Sequence, residues 1–326
     1  MTDTICYPLL LQPCFEPGDG GDGMLREYLA GSTPEPPPGT GCSWEVVDAP
    51  PRSSIVGNGP ASGRTLTDLT RTWGADLVGR RHRAGLPFPV CLRLLQTGRQ
   101  EPLTVYPERP GLSGASSNTK FWYALNAAPA ALIITGINPA ATRMAFLTQL
   151  NTPQLRQSLQ VYHAERCDAF LAPVGRVHAL GPGNLLIEVQ ERPVEGVAVS
   201  GWGPADAVPA AAATAALEHV LFSDRQVRRI SCDAGPIRQT RKVPLLPQCP
   251  SFHIDEVRLC DRIAGRTAGT SFHLFYVIEG RVRLLCRTEQ HDLATGRTVL
   301  LPACIGDYCI ETLTPQARLL KVALPE

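Results

Sequence analysis

The sequence predicts a mainly β fold made of two jelly-roll barrels, with helical segments inserted in and after the first. Three observations carry this expectation. Thirty prolines and twenty-nine glycines divide the chain into short segments, which suits sandwiches and barrels and works against long helices. The runs between them, such as 89–95, 103–106, 120–125 and 131–135, read as short strands bounded by turns. One element also occurs twice: an apolar strand that ends in proline and continues into a turn of small residues. It reads FLAPVGRVH at 170–178 and VLLPACIGDY at 299–308, and it is the sheet-turning element of a jelly roll. The first barrel is assigned to residues 1–236 and the second to residues 237–326.

The elements follow in order. Residues 9–59 are loop-rich, with Gly- and Pro-rich stretches at 18–23 and 34–41; between them 24–30 fits a short helix, and 43–47 fits a strand. Leu66, Leu69, Trp73 and Leu77 recur at helical spacing, so 65–77 predicts a helix, capped by Ser62 or Thr65. Strands are expected at 89–95, 103–106, 120–125 and 131–135, a helix at 143–150, and strands at 169–173 and 185–190 around Gly181-Pro182-Gly183. The alanine-rich stretch 204–219 has helical propensity and reads as a linker region. From 251 onward the chain is nearly all β. A hairpin runs 272–279, Gly280, 281–286; a strand pair 298–301 and 308–311 is joined through 302–306; and 319–324 is expected to close the sheet.

Composition excludes several function classes. The 326 residues suffice for one large or two medium domains, and 44% apolar with 19% charged residues is ordinary for a globular protein. A formal net charge of +1 supplies no field for nucleic acid or an anionic membrane. The densest basic groups, Arg80-Arg81-His82-Arg83 and 225–229, are short and interrupted. Neither nucleic acid nor membrane is therefore expected as a partner. The eleven cysteines are scattered singly, with no C-x-x-C pair for a structural zinc knuckle. Residues 1–8 lack a basic region followed by an apolar run. These features lead us to expect a cytoplasmic protein with reduced thiols, most of them small hydrophobes of the core.

The motifs also fall in a familiar order. GCSWEVVDAP (41–50), SIVGNGPASGRTLTDL (54–69), WGADLVG (73–79), FPVCLRLLQ (88–96), TVYP (104–107), NTKFWYAL (118–125), DAFLAPVGRVHALGPG (168–183) and EVQ (188–190) span most of the chain. Together they resemble, collinearly, the type I mannose-6-phosphate isomerases of the cupin superfamily. The resemblance implies two cupin domains, a catalytic-type one and a non-catalytic one. It also implies interconversion of mannose 6-phosphate and fructose 6-phosphate through a cis-enediol, with a zinc ion as Lewis acid. The family's zinc ligands are the Gln and His of Q-x-H, the Glu of G-K-T-E and the His of G-x-x-H-A.

Here the sequence departs from the family. The Gln position is Thr104, the first His is Tyr106 and the Glu is Lys120, so only His178 remains. Zinc needs about four N, O or S donors, a protonated lysine repels a divalent cation, and a tyrosine ligates only as phenolate, with an ordinary pKa near ~10. No cofactor is therefore expected, and His178 stands as the one candidate metal ligand. Cys42 replaces the Glu of G-E-S-W, Asp19 replaces a family Trp, Pro102 replaces a phosphate-binding Ser, and Ala198 stands where a catalytic Arg would be. The lost positions would converge on one pocket, whereas the scaffold between them survives.

Three residues are candidates for binding a substrate-like ligand: Arg93, Lys120 and Glu188. Lys120 shares a strand face with Trp122 and Ala124; its ammonium either replaces the zinc charge and pairs with Glu188, or snorkels to solvent. Arg93 either grips a phosphate or carboxylate or is structural. Tyr106 either stacks on a sugar or fills the space left by metal and ligand. His163, His253, His273 and His291 read as structural or exposed. No residue is assigned as catalytic. Two functions compete: a sugar-phosphate isomerase, as the resemblance implies, and a non-catalytic homologue that binds a sugar phosphate, another small ligand or a protein partner.

Overall fold

The computed structural model describes residues 6–18, 23–32, 34–108, 118–191, 196–246, 249–287 and 289–325, so Asp19 lies outside the described residues. All strand pairs among the described residues are antiparallel. In the first barrel, a seven-stranded sheet runs Arg229–Ile230, Ala169–Ala172, Lys120–Ala127, Asn184–Gln190, Cys91–Gln96, Thr40–Val46, Cys14–Pro17. It faces a five-stranded sheet ordered Leu159–His163, Leu132–Ile137, His178–Leu180, Leu103–Val105, Val197–Ser200. In the second barrel, Arg241–Leu246, His253–Leu259, Ala317–Ala323, His273–Glu279 and Thr298–Leu301 form a sheet that Leu9–Gln12 and Ile55–Val56 extend to seven strands. A four-stranded sheet ordered Arg262–Arg266, Asp307–Thr312, Arg281–Cys286, Glu289–Ala294 covers its other face. This is the mainly β, cupin-type architecture that the sequence predicts.

Strand alternation sorts the side chains into cores. Phe121, Tyr123, Ile187 and Val189 of the first barrel join Ile254, Leu274, Tyr276 and Leu320 of the second in one buried cluster. The largest core therefore lies between the two seven-stranded sheets. The alternate residues point the other way: Trp122, Ala124 and Leu186 into the first barrel, Val257, Phe275 and Leu319 into the second. Each large apolar side chain removed from water contributes about 1.5–3 kcal/mol, so this shared core helps hold the two barrels together.

The repeated element does the same work in both barrels. After Ala169–Ala172 the chain leaves the seven-stranded sheet and re-enters at His178–Leu180 in the opposite one; after Thr298–Leu301 it crosses to Asp307–Thr312. Each crossing places a glycine at positive φ, Gly175 at 76° and Gly306 at 82°. Strands 298–301 and 308–311 are therefore not the pair the sequence suggested, because the proline-led turn carries the chain between sheets. Likewise Ala317–Ala323 does not close its sheet. It pairs on one side with His253–Leu259 and on the other with His273–Glu279.

Three more expectations are corrected. The helix at 65–77 is two pieces, Leu66–Trp73 and Ala75–Val78, separated by Gly74 at φ 50°. Of the two proposed caps, Thr65 serves: its hydroxyl oxygen accepts from the Asp68 N–H at 3.1 Å. The alanine-rich stretch is not a linker, since Ala213, Ala216 and Val220 are buried and the last two join Leu103, Val105 and Val199 in a core. Its helix, Ala210–Leu217, lies against Val197–Ser200, where small side chains permit close approach. Finally, the thiols are not all reduced: Cys6 and Cys304 form a disulfide that ties the start of the described chain to the second sheet-turning element.

Candidate functional site in the first barrel

Three antiparallel neighbours place the central residues of the site. Glu188 is cross-strand partner to Arg93 on one side and Trp122 on the other, and Gln190 is partner to Lys120. Because side chains alternate along a strand, Glu188, Trp122 and Lys120 all face the barrel interior. Glu188 is 1% exposed, so its charge must be met locally. It is met on both oxygens. Arg93 Nε and Nη2 donate to Oε1 at 2.8 and 2.7 Å, while Lys120 Nζ at 3.1 Å and Trp122 Nε1 at 2.8 Å approach Oε2. Burial alone would raise the Glu188 pKa; the two cations and the indole N–H overcome it and hold the carboxyl down to about 2. Lys120, buried beside Glu188, stays protonated: desolvation opposes its charge, but Glu188 and the Tyr106 hydroxyl move its pKa upward.

Thr104, Tyr106 and His178 lie beside this clamp. Lys120 Nζ sits 4.9 Å from the centre of the Tyr106 ring, which stacks on His178 at 5.1 Å and 9°. Trp122 meets the same imidazole edge-on at 5.5 Å. Thr104 is the cross-strand neighbour of His178, and its hydroxyl donates to the His178 carbonyl at 3.2 Å. His178 Nδ1 lies 3.0 Å from the Arg176 carbonyl oxygen. A carbonyl only accepts, so Nδ1 carries the proton and Nε2 the lone pair. Burial and the neighbouring Lys120 lower the imidazole pKa to about 4, and the ring is neutral at physiological pH.

Outward from the clamp, Arg93 stacks over Trp44 at 4.9 Å. The Trp44 indole donates to Glu16 at 2.9 Å, and Glu16 also pairs with Arg52. Beyond these residues opens a cavity of about 480 Å³, whose lining includes Glu16, Cys42, Arg93, Gln96, Glu101 and Pro102. Burial pushes the Cys42 thiol up to about 12, so it is not a nucleophile at neutral pH. Glu101 was not predicted. Burial, with Glu188 nearby, raises its carboxyl pKa against the pull of Lys120 and Arg93. Among the described residues, no group of three or more His, Cys, Asp or Glu side chains is arranged around a metal position.

The sequence thus named Arg93, Lys120, Glu188 and His178, and the fold brings all four to one barrel end. It missed Trp44, Trp122 as an indole donor, and Glu101. Trp122 had a signal, since it lies two residues from Lys120 on the same strand face. Glu101 had none: it sits in the loop before Leu103–Val105, where no periodicity assigns a direction.

No family model matches the chain. It is 25% identical over 319 residues to the mannose-6-phosphate isomerase ManA of Bacillus subtilis, covering 93% of this chain and 96% of that protein. It is 23% identical over 330 residues to "Probable mannose-6-phosphate isomerase GmuF" of the same organism, covering 94% and 96%. Over nearly its whole length this chain is similar to mannose-6-phosphate isomerases. The solved mannose 6-phosphate isomerase of Bacillus subtilis shares the fold, with a TM-score of 0.74 over 98% of this chain and 99% of that one at 22% identity. A mannose 6-phosphate isomerase solved with zinc and yttrium bound also shares it, with a TM-score of 0.72 over 98% and 100% at 12% identity. At the first barrel's mouth, Arg93 and Lys120 converge on the single Glu188 carboxylate beside the stacked Tyr106 and His178 rings. Among the described residues, no helix is long and apolar enough to cross a membrane.

Proposed function

We propose that this member of the mannose-6-phosphate isomerase family holds a sugar-phosphate-type ligand at the first barrel's mouth without a resident zinc and without isomerising it. One observation carries the reading: the Lys120 ammonium lies buried, 3.1 Å from Glu188, at the position to which the motif resemblance assigns an anionic zinc ligand. A divalent cation there would meet a fixed positive charge, a repulsion of several kcal/mol at an effective dielectric near ~20. The remaining donors do not compensate. His178 offers one lone pair, the Thr104 hydroxyl is turned to a main-chain carbonyl, and burial raises the Tyr106 pKa, which works against phenolate. The donor set does not fit zinc.

Isomerisation moves a proton between adjacent carbons and so needs a base of suitable strength. Glu188, with its pKa near 2 and both oxygens engaged, is a weak base. The cavity keeps Arg93 at its wall, which supports recognition of a phosphate or carboxylate. A second reading rests on Glu101, whose raised carboxyl pKa and place in the cavity wall suit a metal-free general base.

The test is direct. Protein purified without chelator is analysed for zinc, assayed for mannose 6-phosphate turnover with and without added zinc, and melted with and without the sugar phosphate. Substoichiometric zinc, no turnover and a raised Tm are expected. Stoichiometric zinc with turnover overturns the proposal. Turnover that survives chelation and disappears in Glu101→Gln establishes the second reading, and an unchanged Tm removes the ligand.

A further inference from the structure

The second barrel also has a mouth, and its chemistry is not that of a structural core. On the His253–Leu259, Ala317–Ala323 and His273–Glu279 strands, alternate side chains fill the barrel with Val257, Leu259, Leu319, Phe275 and Val277. Followed toward one end, these same inward rows change character. The next positions are Asp255 and His253 on the first strand, Lys321 on the second and His273 on the third. The register brings them into adjacent rows: Asp255 pairs with Lys321, while His253 pairs with Ala323, which leads to the neighbouring His273 strand. Around them is a cavity of about 270 Å³ whose wall is completed by Thr270 and Ser271.

Inward polar groups cost desolvation, and apolar residues would close this end as they fill the rest of the barrel. Four of them converge instead, and His253, Asp255 and Lys321 keep part of their surface in contact with solvent. His273 is buried and fixed, with Nδ1 2.8 Å from the Tyr308 hydroxyl and Phe275 edge-on at 6.4 Å. Barrel mouths with a few convergent polar groups over an apolar floor are where small molecules bind.

We infer that the second barrel's mouth is a binding site for a small neutral polyhydroxyl molecule, a sugar or polyol, held between Asp255, Lys321 and the imidazoles of His253 and His273. The charge balance selects this class. Asp255 and Lys321 are direct cross-strand neighbours of opposite sign, so the pair gives no surplus for an anion. Burial and the nearby Lys321 and Lys242 lower the His273 pKa to about 3, and that ring stays neutral. The lining therefore offers donors and acceptors side by side, with Asp255 balancing Lys321. A hydroxyl, which donates and accepts at once, satisfies both.

The test uses full-length protein titrated by saturation-transfer NMR with D-mannose, D-glucose and glycerol as neutral probes and with acetate and inorganic phosphate as anions. Crystals soaked in the best probe locate it. Binding of a neutral probe is expected, with density between Asp255 and His273, and an affinity at least tenfold weaker in Asp255→Asn. Because Asp255 and His253 are partly exposed, both Asp255→Asn and His253→Ala should fold, which their melting curves check. The inference is overturned if no neutral probe binds, if only the anions bind, if the density lies elsewhere, or if both variants keep wild-type affinity.

Discussion

At the mouth of the first barrel the buried imidazole of His178 lies against Tyr106, with Lys120 and Glu188 beside it. At the mouth of the second, His273 lies against Tyr308, with Lys321 and Asp255 in the same cavity wall. The residue types match, but the arrangements differ. In the first barrel the carboxylate is 1% exposed and takes two cations and an indole N–H, so the ions satisfy one another and seal the interior. In the second, the ions sit in the wall of an open cavity and the imidazole Nδ1 is held by a phenol hydroxyl. A barrel mouth can thus enclose its carboxylate in an ion cluster behind the cavity or leave its ions on the cavity wall. The choice turns on whether the carboxylate lies deep enough for its partners to enclose it.

The largest expected effect tests that enclosure. Replacing Glu188 by Gln leaves Arg93 and Lys120 facing each other without a counter-charge. Removing one member of a buried ion cluster costs about 3–5 kcal/mol. Asp255→Asn, at the open mouth, should cost less than about 1 kcal/mol, as for exposed pairs. Urea unfolding of the two variants measures the contrast, and equal losses would break the comparison.

Acid provides the next test. The His273 pKa, lowered to about 3 in the fold by burial, compares with about 6.5 in an unfolded chain. The unfolded state then binds the extra proton first, so this contribution to stability is complete above pH ~6.5 and is lost as pH falls toward 3. At about 1.4 kcal/mol per pH unit, His273 accounts for roughly 3 kcal/mol of lost stability between pH 6.5 and 4. His178 acts in the same direction, toward its pKa of about 4. Glu188 responds in a lower window: its stabilisation is complete above the ordinary carboxylate range and is lost as pH falls toward 2. Stability of His273→Gln measured at pH 7 and pH 4 should therefore decline less than that of the wild type by about 3 kcal/mol. An identical decline would mean that the second mouth does not hold its imidazole neutral.

Much of this was legible in the sequence for a physical reason. Alternation along 120–125 and 185–190 assigns a face to each side chain, so a Lys120–Glu188 pair inside the barrel was one of two alternatives open in the sequence, the other being Lys120 turned to solvent. The repeated apolar strand, proline and small turn identified both sheet crossings because only such a turn allows the chain to leave a sheet at once. What failed was pairing across distance. Nothing local in 298–311 tells whether its strands face or adjoin each other, nor that Leu9–Gln12 would pair with Thr298–Leu301 in the second barrel. The disulfide between Cys6 and Cys304 was hidden for the same reason, with 298 residues between its ends. The second mouth was missed because its histidines lie at unrelated spacings, and only the adjacency of three strands makes them a group.

The smallest effect separates the two imidazoles most finely. In the first barrel, His178 Nδ1 is held by the Arg176 carbonyl, and Tyr106 contributes a stacked ring. Tyr106→Phe keeps that ring and leaves the Nδ1 hydrogen bond intact, so the imidazole nitrogen shifts should still report a single Nδ1–H form. In the second barrel, the Tyr308 hydroxyl at 2.8 Å is the partner of His273 Nδ1. Tyr308→Phe removes it at a cost of about 1 kcal/mol. The same ¹⁵N spectra should then show His273 moving toward a mixture of the two neutral tautomers. Main-chain anchoring survives loss of a neighbouring side chain and side-chain anchoring does not. A His273 spectrum indifferent to Tyr308→Phe would place its real anchor elsewhere in the cavity wall and make the two mouths more alike than their hydrogen bonds indicate.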